Sequence, residues 1–117
     1  MKRDMDLVRL ILFEVEKIEK WDEWKDIKIE GYSQEEIYYH IMLLNEAGLI
    51  EAKKLCDGGK WVPNRLTWNG HEFLDASRNE TVWKKVKGIM ANKGGSFAFE
   101  VVKSLVISVS LEMLKHG

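Results

Sequence analysis

The side chains suited to acid–base, nucleophilic or metal chemistry are few and scattered. The chain has three histidines, His40, His71 and His116, and one cysteine, Cys56. None is spaced with carboxylates as a nucleophile, base and orienting group would need. His71-Glu72 puts a base beside an acid, but in the expected first turn of a helix, where capping or local packing is the simpler role. Zinc would need clustered His or Cys ligands, which the sequence does not provide. A single cysteine closes no internal disulfide, so Cys56 reads as a reduced, half-buried thiol. Gly58-Gly59 and Gly94-Gly95 match no phosphate-binding loop and suit turns. The sequence therefore suggests no catalytic residue, metal or cofactor, and the chain does not read as an enzyme.

Cations offer a different chemistry. Lys53, Lys54, Lys60 and Arg65 lie on a candidate hairpin, and Lys84, Lys85, Lys87 and Lys93 follow it. Such a set could hold duplex phosphates, giving weak, salt-dependent DNA binding. The helix before the hairpin could bring Gln34, Tyr38, His40 and Asn45 toward base edges. Two features oppose this. The segment 33–50 contains Glu35, Glu36 and Glu46 but no Lys or Arg, and the formal net charge of the chain is −1. The competing expectation is a protein-interaction module. Trp21 and Trp24 in a polar stretch, and the adjacent Tyr38 and Tyr39, could supply it with aromatic surface.

The elements that would position these residues follow from caps and periodicity. Asp4 or Asp6 can cap a first helix, with Leu7, Val8, Ile11, Leu12, Val15 and Ile18 at helical spacing to about Lys20. Asp26 to Glu30 alternates polar and apolar, as a short strand does. Ser33-Gln34-Glu35-Glu36 is a capping box. It opens a helix striped by Ile37, Ile41 and Leu44, with Gly48 as a left-handed terminator. Leu49–Cys56 and Trp61–Thr67 read as strands joined by Asp57-Gly58-Gly59. Pro63 demands an edge or an irregularity. Thr67 or Asn69 and then Asn79 can cap two further helices. A last helix runs from Ser96 to about Lys115.

The fold class expected is thus α+β: a winged-helix domain of helix, short strand, helix, β-hairpin wing and helix, with an added C-terminal helix. The domain would span 1–93, and residues 94–117 would pack on it or form a dimer interface. The run Glu46-Ala47-Gly48-Leu49-Ile50, a hairpin, and Arg65-Leu66-Thr67-Trp68-Asn69-Gly70 resembles the recognition helix and wing of bacterial winged-helix regulators. Those regulators place a supporting helix before the recognition helix, where this chain offers only Trp21 to Tyr32.

Nearly the whole chain also resembles a bacterial and phage family, domain of unknown function 2513. The resemblance rests on the opening Met1-Lys2-Arg3-Asp4-Met5-Asp6-Leu7-Val8-Arg9, on Glu30-Gly31-Tyr32-Ser33 and on Tyr39-His40. It continues through Gly48-Leu49-Ile50, Leu66-Thr67-Trp68-Asn69-Gly70-His71-Glu72-Phe73-Leu74-Asp75, Thr81-Val82-Trp83 and Gly94-Gly95. It implies a phage or prophage-type accessory protein and no defined biochemistry.

The last helix carries apolar residues around much of its circumference, which one small domain would struggle to cover. A homodimer through Phe97, Phe99, Val102, Val106, Ile107, Leu111 and Leu114 is the expectation, with packing against the first helix as the alternative. The opening residues do not read as a signal peptide, and the run Ser104–Leu111 is too short to span a bilayer. A cytoplasmic protein without membrane association is expected.

Overall fold

The structure, a computed structural model, describes residues 1–56, 58–92 and 99–116. Its elements in order are α1 (Met5–Glu16), α2 (Gln34–Glu46), β1 (Ile50–Lys54), β2 (Trp61–Leu66), α3 (Trp68–Ser77), α4 (Glu80–Asn92) and α5 (Phe99–His116). Among the described residues this is an α+β arrangement of five helices and one antiparallel hairpin, compatible with a winged-helix-like order. The backbone groups into two compact units, Met1–His71 and Glu72–Gly117. The boundary expected at 93/94 falls outside the described residues.

In the first unit the Asp4 carboxylate accepts from the amides of Asp6 and Leu7, at 2.9 and 3.2 Å, and so caps α1. The helix stops at Glu16, short of the expected Lys20. Beyond Val15 its inward face offers only the half-buried Ile18, so another turn would bury little.

The strand expected over Asp26–Glu30 does not form, because β1 and β2 make a two-stranded sheet with each other alone. Ile27 is nonetheless buried. Its carbonyl is met by a side chain instead of a ladder partner: Gln34 Nε2 donates to it at 2.7 Å. No helix lies between α1 and α2.

α2 has both its ends closed by local chemistry. Ser33 Oγ accepts from the Glu36 amide, and the Glu36 carboxylate accepts from the Ser33 amide, each at 3.1 Å. At the other end Gly48 has φ +76°. The Gly48 amide donates to the Asn45 carbonyl at 3.1 Å, and the Leu49 amide to the Leu44 carbonyl at 3.0 Å. That is a Schellman ending, which satisfies two carbonyls the helix leaves open.

The hairpin pairs Ile50 with Leu66, Glu51 with Arg65 and Ala52 with Pro63, so Asn64 is the extra residue of a β-bulge. Proline without an N–H explains the irregularity. The bulge leaves the Ala52 amide to the Asn45 side chain, whose Oδ1 accepts it at 3.0 Å. Gly58 and Gly59 both have φ +69°, as the expected turn requires. Asp57, which the same expectation included, lies outside the described residues. After β2, Thr67 Oγ1 donates to the Gly48 carbonyl at 2.5 Å and accepts from the Gly70 amide at 3.1 Å. Gly70 is dictated by space: a Cβ there would stand 2.0 Å from the Leu49 carbonyl oxygen. The Leu66-Thr67-Trp68-Asn69-Gly70 motif is thus a clamp between the start of β1 and the first turn of α3.

The core of this unit comprises Leu7, Ile11, Leu12, Val15, Ile27, Ile37, Ile41, Leu44, Leu49, Ile50, Val62 and Leu66, all buried. Each such side chain contributes roughly 1.5–3 kcal/mol on burial. In the second unit Asn79 Oδ1 caps α4 through the amides of Thr81 and Val82, at 2.8 and 3.2 Å. Phe73 meets Trp83 edge-on, with centroids 6.5 Å apart, and lies tilted against Phe99 at 5.1 Å. α4 packs on α5, and Ser110 Oγ donates to the Ala76 carbonyl at 2.8 Å.

The buried Asn64 side chain donates from Nδ2 to two carbonyls, Trp21 at 2.6 Å and Glu23 at 2.7 Å. Asn64→Ala removes both bonds. The expected loss is about 1–3 kcal/mol of stability, measured by urea denaturation, with faster amide exchange at Lys25, whose N–H donates to the Pro63 carbonyl. Unchanged stability and unchanged exchange at Lys25 would contradict the pinning role.

Candidate partner-binding surface

The side chains proposed to read DNA from α2 are bonded inward. His40 is 1% exposed. Its Nε2 accepts from the Asp4 amide at 2.8 Å, and its Nδ1 lies 2.8 Å from the Glu36 carbonyl. An amide can only donate and a carbonyl only accept, so the ring is neutral with its proton on Nδ1. Tyr38 Oη donates to Asp26 Oδ1 at 2.9 Å. Gln34 holds the Ile27 carbonyl, and Asn45 holds the Ala52 amide. The helix therefore uses these four polar side chains to fasten α1, the 26–27 segment and β1 around itself. The part of it most open to solvent is acidic, with Glu35 and Glu46 exposed.

The hairpin cations are also engaged. Lys53 Nζ sits 4.3 Å above the Trp24 ring centroid, Lys60 Nζ is 3.9 Å from Asp26, and Arg65 meets Glu51 at 2.5 Å. These pairs are half exposed, so each adds little to stability. Their effect is to neutralise charge locally. Lys54 is exposed. The first unit as a whole holds eleven Lys and Arg against fourteen Asp and Glu, a formal net charge of −3. In the second unit Lys84 and Lys85 are exposed and Lys87 is half-buried, while Lys93 lies outside the described residues. The two sets of cations thus belong to separate compact units.

The first unit also exposes tryptophans among its charged surface residues. Trp21 is 84% exposed and Trp24 40%. Both stand on the 21–25 loop, which the Asn64 side chain and the Lys25–Pro63 backbone bond hold against β2. Trp68, in the first turn of α3, is also exposed. A solvent-facing indole with an ammonium group over its face, as Lys53 lies over Trp24, can pack on an apolar side chain and attract carboxylates at once. Sequence reasoning singled out Trp21 and Trp24 but missed Asn64, which holds the backbone of their loop. Its signal was indirect: a proline inside a strand requires a bulge, and the residue after it can turn inward.

Cys56 is exposed, not half-buried as its sequence context suggests, because it follows the last paired residue of β1. Among the described residues no three His, Cys, Asp or Glu side chains come together to hold a metal, and no helix is long and apolar enough to cross a membrane.

Two titrations are shifted by this bonding. The Ser33 amide and hydroxyl hold the Glu36 carboxyl below its ordinary range, because both bond its charged form. Burial, and then the bond to Asp26, pushes the Tyr38 phenol above its ordinary value of 10.0. The lowered Glu36 value means the capping box stabilises above the unfolded carboxyl value and is lost as pH falls through the folded one. Ser33→Ala should return Glu36 toward the ordinary range, followed by carbon NMR titration, and reduce stability by about 1 kcal/mol near neutral pH. A Glu36 titration unmoved by the substitution would contradict the cap.

The chain matches the family described as "Hypothetical protein (DUF2513)" over residues 2–96. It is similar to an uncharacterised protein of Haemophilus influenzae (strain ATCC 51907 / DSM 11121 / KW20 / Rd), at 34% identity over 120 residues, covering 97% of this chain and 99% of the relative. No solved structure matches it. The extent of both matches establishes that the chain belongs to the DUF2513 family.

Proposed function

We propose that this chain is a protein-interaction module on a winged-helix-like frame, of a bacterial accessory type, whose partner docks on Trp21 and Trp24. One observation carries the proposal. Gln34, Tyr38, His40 and Asn45, the side chains a reader helix would present to bases, each make a hydrogen bond within the first unit. Two of the exposed tryptophans, Trp21 and Trp24, sit on a loop anchored by two short bonds from Asn64. Preorganised aromatic anchors are the usual energetic centre of protein interfaces. The net negative charge of this unit also works against approach to a polyphosphate.

The second reading is weak DNA binding, with a regulatory role. Lys53 and Lys54 favour it, since both are exposed on β1, with Lys60 and Arg65 on the facing half of the hairpin. Such binding would be sequence-independent and would rest on phosphate contacts.

Titration with a duplex at low and high salt separates the two. The module predicts no binding at low salt up to about 100 µM duplex, a concentration at which non-specific phosphate binders are normally occupied. It also predicts a protein retained from bacterial lysate by the wild-type chain and lost with Trp21→Ala and Trp24→Ala together. Salt-sensitive duplex binding that Lys53→Ala, Lys54→Ala and Lys60→Ala jointly abolish would overturn the module and establish the second reading.

A further inference from the structure

The dimer expected from the sequence used seven residues of the last helix, and the structure divides them. Val102 and Val106 are buried within their own chain, at 1% and 0% exposure. Phe99 is half-buried against Phe73, and Phe97 lies outside the described residues. Ile107, Leu111 and Leu114 remain exposed, at 39%, 55% and 79%, with Val101 at 42%. Ile107, Leu111 and Leu114 follow the i, i+4, i+7 rule and therefore form one stripe along α5.

Charges flank this stripe in a self-complementary order. Reading along α5, an acid and a base, Glu100 and Lys103, precede the apolar centre, and an acid and a base, Glu112 and Lys115, follow it. Two copies of α5 laid antiparallel, with the two-fold axis between Ile107 and Ser108, set Glu100 against Lys115 of the partner subunit and Lys103 against Glu112 of the partner subunit. Both pairs are of opposite sign, and each occurs twice by symmetry. Between them the same register sets Leu114 against Val101, Leu111 against Ser104, and Ile107 against Ser108, so large residues face small ones. A parallel pairing would set like charge on like charge at all four positions.

We propose that α5 pairs antiparallel with α5 of a second copy of this chain, through Val101, Ser104, Ile107, Ser108, Leu111 and Leu114, in the register fixed by these charges. The facing helices are 18 residues long, about 27 Å at 1.5 Å per residue. An isologous contact of this kind closes on itself and leaves no open end.

Sedimentation equilibrium of the full chain, from about 1 to 500 µM, tests it, with helix content by circular dichroism confirming that each variant folds. The wild type should dimerise within that range. Leu111→Glu, which puts a charge into the apolar stripe, should weaken the dimer by at least about 100-fold. Glu100→Lys and Lys115→Glu alone should each weaken it by about 3- to 10-fold, since each disrupts an exposed pair twice. Glu100→Lys combined with Lys115→Glu should restore it. A monomer throughout the range, or a dimer indifferent to Leu111→Glu, would overturn the interface. A doubly reversed chain weaker than either single variant would overturn the antiparallel register.

Discussion

The imidazole of His40 is the joint on which the first unit depends. It is buried and lies on α2, and it accepts the amide of Asp4, the residue whose carboxylate starts α1. Helix N-termini carry donors that nothing inside the helix can satisfy. Here one donor just outside the first turn of α1 is satisfied by a ring on the next helix, so the position of α1 and the tautomer of His40 determine each other. An unpaired buried donor costs about 1–3 kcal/mol, a large part of the net stability of a domain this size. The joint therefore excludes a version of α2 in which His40 turns outward.

The same economy governs the rest of α2. A helix with no Lys or Arg and several hydrogen-bonding side chains can present them outward or use them as fasteners. Gln34 and Tyr38 bind the 26–27 segment and Asn45 binds the β1 amide opposite the bulge, so most of that capacity is structural. Asn64 works in the opposite direction. It extends from the bulge in β2 to hold the 21–25 loop, and the loop then holds two tryptophans in water. Polar groups that a sequence would assign to recognition thus build the frame, while the frame exposes aromatic surface.

How much of this was legible depended on the range of the interactions. Elements set by neighbours in sequence could be read directly: the Ser33 and Asn79 caps, the Asp4 cap as one of two candidates, the Gly48 ending, the diglycine turn and the irregularity at Pro63. The 26–30 strand was misread, because alternation reports that one side is buried but not whether another strand lies alongside. Ile27 is indeed buried, yet a glutamine side chain takes the place of a ladder. The end of α1 was set too late for a related reason, since one apolar residue past Val15 does not justify another turn. The roles of His40, Asn45 and Asn64 were hidden, because each depends on a partner brought close only by the fold: Asp4 for His40, the Ala52 amide opposite the bulge for Asn45, and the Trp21 and Glu23 carbonyls for Asn64. For the candidate surface, residue type marked the tryptophans and lysines as candidates, but could not say which tryptophans would stay in water or which polar side chains were already engaged.

Whether α2 directs its polar atoms inward is reported most directly by His40. Long-range proton–nitrogen correlation spectra of the imidazole, recorded in mildly alkaline solution, distinguish the two neutral tautomers. The structure predicts the less common one, with the proton on Nδ1 bonded to the Glu36 carbonyl and a bare Nε2 accepting the Asp4 amide. A His40 spectrum with the proton on Nε2, or one averaged between tautomers as in a solvent-exposed ring, would contradict it.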